Sequence, residues 1–306
     1  MEHRNLGHSG LQVSLVGLGC NNFGGRLDLE ATQAVVHKAL DAGITLFDTA
    51  DVYGDRGGSE EQLGKILGER RKDIVLATKF GMRMDDEGVK KGASRRYIMA
   101  AVEDSLKRLQ TDWIDLYQLH WPNRGSFAFR QMWSYTPWEQ DRADTLQHMQ
   151  DVLGWLQDQV TRGTIRHFGL SNESTWGTAE WLRLAREAGA PEVQTIQNEY
   201  SLLYRHADTD IAELCVNEGV GLLPYSPLGA GLLSGKYQNG AVPEGSRMAL
   251  NGTLGGRLSD RVFPAVDAYL EIARKHEIDP VHMALAWSAR RPFVSSSILG
   301  ATTVEQ

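Results

Sequence analysis

Short apolar stretches alternate with longer amphipathic stretches along this chain, and this alternation limits the fold more than any other feature. Most of the apolar stretches are continuous, as in parallel strands that are covered on both faces. Eight of them are predicted as strands: residues 15–19, 44–48, 74–79, 114–119, 166–170, 193–197, 220–225 and 296–299. The amphipathic stretches predicted as helices are residues 29–40, 95–109, 146–162, 175–188, 208–218 and 262–276.

Strands and helices in this order predict a (β/α)₈ TIM barrel. A doubly wound parallel sheet is the alternative that the pattern leaves open. Before the first barrel strand, residues 4–13 predict a β-hairpin that turns at Ser9-Gly10. The length of 306 residues suits one barrel, and no repeat or linker interrupts it, so residues 1–306 are predicted to form a single domain.

The composition argues against several classes of protein. The net charge of −7 does not fit a nucleic-acid partner, which requires a basic surface. No apolar run approaches the roughly 18 residues of a membrane span, and no signal peptide is recognised, so the expected location is the cytoplasm. Cys20 and Cys215 are too few for a disulfide framework. Neither has the spacing of metal ligands around it, so no metal site is predicted.

Four polar residues end or follow consecutive predicted strands in the first half of the chain. They are Asp48, Tyr53, Lys79 and His120. Because the carboxyl ends of parallel strands meet at one end of a barrel, we expect these side chains to lie close together. Each of them alone is more often structural, as a helix cap, a surface ring or a solvated amine. The prediction of a site therefore depends on the four occurring together.

The four side chains suit acid catalysis by a phenol. An ordinary tyrosine has a pKa of about 10, and an adjacent ammonium group lowers that pKa. Lys79 is expected to act in this way on Tyr53, while Asp48 keeps Lys79 charged, and His120 is expected to hydrogen-bond a carbonyl oxygen. A phenolic acid at a carbonyl oxygen suits reduction by hydride transfer. Because none of these side chains supplies hydride, a nicotinamide cofactor is implied.

Several longer motifs surround these residues. Residues 41–54 read DAGITLFDTADVYG, and Ser59-Glu60 and Leu63-Gly64 follow. The others are DSLKRL at 104–109, DLYQLH at 115–120, GLSN at 169–172 and YSPLG at 225–229. Together they resemble the aldo-keto reductase family over residues 4–306, essentially the whole chain. Within the family, IQNEYSLL at 196–203 and LGATT at 299–303 are most similar to the bacterial Tas-like branch.

The resemblance implies a barrel oxidoreductase that reduces aldehydes or ketones to alcohols. It implies that NADPH binds across the C-terminal face of the barrel and that the substrate is a small carbonyl compound. It leaves open whether NADH is also used. Asp48, Tyr53, Lys79 and His120 would form the catalytic tetrad, with Tyr53 as the general acid.

The resemblance also implies which residues bind the cofactor. Ser171, Asn172 and Gln197 would hold the carboxamide, and Tyr225 would stack on the nicotinamide ring. The pyrophosphate would lie along Ser226, Leu228 and Lys236. The 2′-phosphate would be surrounded by Arg247, Gly300, Thr302 and Gln306. The remaining residues of the expected cofactor site are Gly19, Cys20, Asn21, Asp48 and Gly229.

Three parts of the sequence depart from the regular alternation. Residues 121–144 form a long stretch with Trp121, Trp133 and Trp138, expected either to wall a substrate pocket or only to pin the loop to the barrel. Residues 235–260 are rich in glycine. Only residues 300–306 follow the eighth strand, too few for an eighth covering helix. Either the barrel is open there or this sequence is a shortened form of a longer protein, and we expect the second.

The dinucleotide-binding glycine pattern of doubly wound folds is absent, because GLGCNN at 17–22 lacks its third glycine. Phosphate binding is therefore expected from loops and cations. Two other functions fit parts of the sequence. A cofactor-sensing regulatory subunit, as in the potassium-channel β subunits, resembles the family, but those proteins lack the histidine that His120 supplies here. A barrel lyase or isomerase with Lys79 as a Schiff base would give Tyr53, Asn172 and Gln197 no role.

Overall fold

Eight parallel strands form the barrel that the sequence predicts. The structure, a computed structural model, describes residues 1–82, 84 and 95–306, with the backbone alone for residues 95–97. The strands are β1 (His3–Asn5), β2 (Gln12–Ser14), β3 (Val16–Gly19), β4 (Leu46–Asp48), β5 (Val75–Phe80), β6 (Ile114–Leu119), β7 (Ile165–Ser171), β8 (Val193–Gln197), β9 (Gly221–Leu222) and β10 (Ser297–Leu299). The helices are α1 (Leu29–Asp41), α2 (Tyr53–Leu67), α3 (Arg95–Leu109), α4 (Arg142–Arg162), α5 (Thr175–Ala188), α6 (Ile211–Glu218), α7 (Arg247–Leu250), α8 (Val262–Lys275) and α9 (Pro280–Ala289).

The strand order shows that the sheet is a barrel. It runs β10-β3-β4-β5-β6-β7-β8-β9, so each strand lies beside its neighbour in sequence. At the two ends of this order, the Leu222 amide donates to Phe293 O at 2.9 Å and the Ile298 amide donates to Pro224 O at 2.8 Å. These bonds close the sheet. The doubly wound alternative is wrong, because the order of strands in that fold reverses at a switch point.

The N-terminal hairpin covers one end of the barrel. β1 and β2 pair antiparallel, with Arg4 opposite Val13. Leu6 and Val13 are fully buried in a cluster with Leu46 and Leu116 from inside the barrel. Leu46 begins β4, so the cluster lies toward the amino ends of the strands. The hairpin therefore does not cover the carboxyl ends of the strands, where the predicted catalytic residues are found.

A second cluster fills the space between the barrel and its helices. It joins strand residues such as Phe47 and Phe168 to helix residues such as Val36, Leu153 and Trp181, all of them buried. β4, β5 and β6 are buried along their whole length, which explains why most of their residues are apolar.

Three helices are not indicated by the sequence pattern: α2, α7 and α9. Glycines interrupt the apolar period of α2, which reads YGDRGGSEEQLGKIL. α9 reads PVHMALAWSA and has no continuous polar face, and α7 is a single turn. α4 begins at Arg142 rather than at the predicted residue 146, because the Asp141 side chain caps the helix by accepting from the Asp144 amide at 3.0 Å. No helix follows β10 in residues 300–306, as expected from the sequence.

Several residues of the quoted motifs hold the fold together away from the barrel mouth. Glu60 is fully buried, accepts from the Thr78 hydroxyl and pairs with Arg108 at 2.7 Å. Asp115 pairs with Arg71 and with Arg166, at 2.8 Å each. Since buried carboxylates require such partners, these motif residues stabilise contacts between neighbouring elements of the barrel.

Candidate active site

Three of the four predicted catalytic side chains come from adjacent strands. Asp48 ends β4, Lys79 lies near the end of β5, and His120 follows β6 directly. In the parallel register Asp48 lies beside Ala77, and Lys79 lies beside Gln118. The three side chains therefore emerge at the same end of the barrel.

The Lys79 ammonium group is buried and paired. Lys79 is fully buried, and its Nζ donates to Asp48 Oδ2 at 2.6 Å and to Thr49 O at 2.9 Å. Burial acts to lower the pKa of Lys79, but the charges and hydrogen bonds of Asp48 and Tyr53 outweigh it, so this pKa is raised. The amine is therefore positively charged at neutral pH.

The second oxygen of Asp48 accepts from two amides. Gln118 Nε2 donates to Oδ1 at 3.0 Å, and Gln197 Nε2 donates to the same oxygen at 2.8 Å. Gln197 is a predicted cofactor residue, whereas Gln118 is missed by the reasoning from sequence. A signal was present: Gln118 lies two residues before His120, and strand residues two apart face the same side of a sheet.

Tyr53 is the first residue of α2, and the Lys79 ammonium group lies 5.0 Å from the centre of its ring. Burial raises the pKa of Tyr53, the charge and hydrogen bond of Lys79 lower it, and Asp48 raises it. Lys79 acts on the pKa of Tyr53 in the expected direction, but the balance of all the effects is a raised pKa. The reason is desolvation, which penalises a phenolate in this pocket more than the ammonium favours it. The phenol therefore carries its proton at neutral pH.

A left-handed turn follows Tyr53. Gly54, Asp55 and Arg56 have φ angles of 68°, 58° and 66°. A Cβ atom at Gly54 would lie 2.4 Å from Phe23 O, so only glycine fits this close approach. The turn fixes the position from which the Tyr53 side chain extends.

His120 has a neutral ring at neutral pH. Burial and the charge of Lys79 lower the pKa of His120 well below its usual value. The ring lies edge-on to the Tyr53 ring, with centroids 5.7 Å apart and an interplanar angle of 84°. Its Nδ1 has no hydrogen-bond partner within the described part of the chain. An imidazole with a free ring nitrogen beside a phenol can hydrogen-bond a small molecule.

The residues predicted to hold an amide form one hydrogen-bonded group with the catalytic residues. Asn172 Nδ2 donates to His120 O at 3.0 Å, and Asn172 Oδ1 accepts from the Tyr225 hydroxyl at 2.8 Å. Ser171 Oγ donates to Gln197 O at 2.9 Å. Asn172 has a φ of 56°, a left-handed conformation that asparagine adopts more easily than most residues. The structure thus brings Ser171, Asn172, Gln197 and Tyr225 to the same end of the barrel as the four catalytic candidates.

The long loop after β6 packs against Tyr225. The Phe129 ring stacks on the Tyr225 ring, with centroids 5.9 Å apart and an interplanar angle of 21°. Trp121 stacks on Phe129 at 5.5 Å. Two other tryptophans of the loop, Trp133 and Trp138, are 94% and 78% exposed, so they do not pin the loop to the barrel.

A cavity of about 440 Å³ lies between this loop and the starts of α5 and α6. Its aromatic lining includes Phe127, Tyr135 and Trp176, together with His206. Phe127 and His206 also line a smaller cavity that reaches Asn172 and Tyr225. The larger cavity is therefore next to the predicted nicotinamide side of the site, and aromatic residues of the loop form one of its walls.

The residues predicted to line the pyrophosphate follow β9. Ser226 has a φ of 55°, and its Oγ accepts from Arg257 Nη2 at 3.3 Å. Leu228 precedes a short 3₁₀ helix that begins at Gly229. Lys236 is exposed, with Nζ 5.2 Å from the centre of the Tyr237 ring. Arg257 is a further cation at this segment, and the prediction from sequence does not include it.

Arg257 and Arg26 lie near Arg247, a residue of the predicted 2′-phosphate site. Burial, then the charges of Arg257 and Arg26, lower the pKa of Arg247. Arg26 Nη2 donates to Gly245 O at 2.9 Å, and Arg26 Nη1 donates to Asn22 Oδ1 at 3.4 Å. Clustered arginine side chains are able to bind an anion. Arg26 is a second residue that the sequence reasoning missed.

Residues from the two ends of the chain meet beside Arg26. Asn22 Nδ2 donates to Ala301 O at 3.2 Å, and a Cβ atom at Gly300 would lie 3.3 Å from Asn21 Oδ1. The Thr302 amide donates to Gln306 Oε1 at 2.8 Å, so these two predicted residues bind each other.

The other predicted residues of this region, Gly19 and Cys20, lie against the barrel. A Cβ atom at Gly19 would come within 2.9 Å of Ile298 Cγ2. Burial raises the pKa of the Cys20 thiol, and the whole residue is buried.

Two further observations concern metal ions and membranes. Within residues 1–82, 84 and 95–306, no group of three or more His, Cys, Asp or Glu side chains is arranged to hold a metal ion. No helix in the same residues is long and apolar enough to cross a membrane.

Comparison with known proteins agrees with this architecture. Residues 15–306 match the model of the aldo/keto reductase family. The chain is 40% identical to the protein Tas of Escherichia coli over 319 aligned positions, which cover 100% of this chain and 91% of Tas. It is 36% identical to a probable voltage-gated potassium channel subunit beta of Arabidopsis thaliana, covering 100% of this chain and 89% of that protein. It is 31% identical to the L-glyceraldehyde 3-phosphate reductase of Escherichia coli, covering 100% and 85%. With these matches and its eight-stranded parallel barrel, the chain belongs to the aldo/keto reductase family.

Proposed function

We propose that this protein is an NADPH-dependent reductase of aldehydes and ketones, with Tyr53 as the general acid. The observation that carries the proposal is geometric: the buried Lys79 ammonium group lies 5.0 Å from the centre of the Tyr53 ring, and the centre of the His120 ring lies 5.7 Å from it. A carbonyl oxygen placed between Tyr53 and His120 would receive a proton from the phenol. The Lys79 charge would stabilise the phenolate that remains.

The residues at the barrel mouth fit a nicotinamide cofactor. Asn172 and Gln197 provide amide groups suited to a carboxamide, and Tyr225, whose ring stacks on Phe129, provides an aromatic surface. Arg26 and Arg247 provide positive charge for a phosphate. When bound, the cofactor supplies the hydride. The side chains of this chain orient the carbonyl, exclude water and deliver the proton.

The proton balance follows from the chemistry of the two groups. Hydride addition to the carbonyl carbon leaves a negative charge on oxygen, and the proton of the Tyr53 hydroxyl neutralises it. His120, without a positive charge of its own, would hydrogen-bond the same oxygen and hold it in place. General acid catalysis of this kind is worth about 10²–10⁴ in rate.

The test is Tyr53→Phe, assayed by NADPH oxidation and by cofactor binding. We expect loss of turnover with NADPH binding near that of the unchanged protein, because only the hydroxyl is removed. The matched control is Tyr269→Phe, which removes a hydroxyl that hydrogen-bonds Leu202 O in another part of the fold. Turnover that survives in Tyr53→Phe would rule out the assigned acid.

The substrate panel follows from the cavity and from the relatives. Aromatic aldehydes are one arm, because aromatic rings line the 440 Å³ cavity. Phosphorylated aldehydes are the other, because one relative is named as an L-glyceraldehyde 3-phosphate reductase. Each should be assayed with NADPH and with NADH.

The second candidate function is a cofactor-sensing regulatory subunit. It is favoured by the 36% identity to a probable potassium channel subunit beta. It predicts tight NADPH binding, negligible turnover with the whole panel, and a protein partner that is retained only when NADPH is present. Turnover that depends on Tyr53 would exclude it.

A further inference from the structure

Gln118 is a buried amide within the interior of the barrel. It lies on β6, is fully buried, and donates from Nε2 to Asp48 Oδ1 at 3.0 Å. Its Oε1 lies 3.4 Å from Gln197 Nε2 and accepts a hydrogen bond from it. The two bonds fix which end of the Gln118 amide faces Asp48, because only the NH₂ end can donate to a carboxylate.

The Asp48 carboxylate thus accepts from both amides on one oxygen and from Lys79 on the other. The distances to Gln118, Gln197 and Lys79 are 3.0, 2.8 and 2.6 Å. A carboxylate that is 3% exposed obtains little help from water, so these donors carry most of its stabilisation. If one of these donors were removed, the Asp48 carboxylate would attract the Lys79 proton more strongly.

This stronger attraction affects Tyr53 through Lys79. The ammonium group contacts both Asp48 and the phenol, so a proton drawn toward Asp48 is less available to stabilise a phenolate. The negative charge of Asp48 also acts directly against ionisation of the phenol. Both effects make Tyr53 a weaker acid when a donor to Asp48 is lost.

We propose that Gln118 is a positioning residue, which holds Asp48 between Lys79 and Gln197 and so maintains the acidity of Tyr53. The proposal rests on the proposed function, in which Tyr53 is the proton donor. Gln118 also links Asp48, the partner of Lys79, to Gln197, which is predicted to bind the cofactor. A loss of Gln118 should therefore alter both the pH dependence and the rate of turnover.

The test is Gln118→Met, a side chain of similar length without the amide. We expect kcat to fall by about tenfold to a hundredfold, the effect of one hydrogen bond to a charged group. We expect the alkaline limb of the pH–rate profile for carbonyl reduction to move to higher pH, because a weaker acid keeps its proton longer. The KM for the carbonyl should change little.

The matched control is Gln159→Met. Gln159 is a buried glutamine of α4 whose amide oxygen accepts from Thr164, away from Asp48. A structural effect common to buried glutamines would lower stability in both variants and leave the pH–rate profile in place. A shift of the profile in Gln118→Met alone supports the positioning role.

The outcomes separate the two proposals. If the unchanged protein reduces carbonyls and Tyr53→Phe does not, but Gln118→Met keeps the original kcat and pH–rate profile, the role of Gln118 is overturned and the proposed function stands. If the unchanged protein shows no turnover with the panel, the proposed function fails, and the role of Gln118 fails with it.

Discussion

Arg130 and Glu199 are joined by two parallel hydrogen bonds of 2.6 Å each. Glu199 also accepts from Arg257 Nε at 3.1 Å, and its side chain is only 4% exposed. A Cβ atom at Gly256 would lie 3.2 Å from Arg130 Cγ, so the two arginine segments also touch directly. One carboxylate therefore joins the loop after β6 to the segment between α7 and α8.

The first prediction concerns this shared carboxylate. Glu199→Gln keeps the shape of the side chain but leaves two arginines without their partner. We expect the free energy of unfolding to fall by about 3 kcal/mol, the lower end of values for breaking a buried ion pair. Urea denaturation measures it. Glu187→Gln, which removes an exposed pair with Arg183, is the control and should have little effect. Equal losses in the two variants would show that Glu199 is not a buried link.

The second prediction concerns cofactor choice. Arg247→Leu should weaken NADPH binding by about tenfold to a hundredfold, the effect of a lost hydrogen bond to a charged group. NADH binding should be nearly unchanged, because NADH lacks the 2′-phosphate. Fluorescence titration with both cofactors measures the ratio. Equal weakening of NADPH and NADH would instead assign Arg247 to a group that the two cofactors share.

The sequence predicts the strands and the four catalytic candidates because both are local features. A continuous apolar run predicts a covered strand, and a polar residue at its end predicts a position at the barrel mouth. Lys79 and His120 are examples, since each is placed by its own strand. The barrel could therefore be predicted without any knowledge of contacts between strands, and the strand order confirms it.

The features that the sequence does not predict depend on contacts between strands. Gln118 meets Asp48 only because β6 and β5 pair in one register, with Gln118 beside Lys79. The raised pKa of Tyr53 depends on how completely the surrounding residues exclude water. Arg26 reaches Gly245 across a separation of 219 residues. The position of Gln118 two residues before His120 indicates which side of β6 it faces, but the partners of these side chains lie on other elements of the fold.

The third prediction concerns Gly64, in the motif that includes Leu63-Gly64. A Cβ atom there would lie 2.3 Å from Arg108 O and 2.8 Å from the Leu109 carbonyl carbon, where α2 packs on α3. Backbone atoms cannot relieve this clash by a change of rotamer, as a side chain could. Gly64→Ala should therefore lower the free energy of unfolding by about 1–3 kcal/mol. Gly154→Ala in α4 is the control, because nothing lies within 4 Å of the added methyl group. That variant should gain about 0.5–1 kcal/mol. Equal stability of the two variants would contradict close packing at Gly64.

The fourth prediction concerns pH and His120. Burial, together with the charge of Lys79, lowers the pKa of His120 well below its usual value. The unfolded chain binds a proton at this residue below about pH 6.5, whereas the folded chain does not until a lower pH. The unfolded state therefore binds more protons in this window, and the stability contributed by His120 is lost as the pH falls. The loss is up to about 1.4 kcal/mol per pH unit for one such group.

His148 and His167 also have pKa values lowered by burial, so the unchanged protein should lose stability on acidification through several groups. His120→Gln should make the plot of unfolding free energy against pH less steep below pH 6.5, by the contribution of one residue. Urea denaturation at a series of pH values from 7.5 to about 5 measures the slope. His276→Gln, which replaces an exposed histidine, is the control for the loss of one histidine from the chain. A slope that is the same in His120→Gln and in the unchanged protein would mean that His120 takes up its proton equally in both states, and the neutral ring assigned to the proposed mechanism would then be wrong.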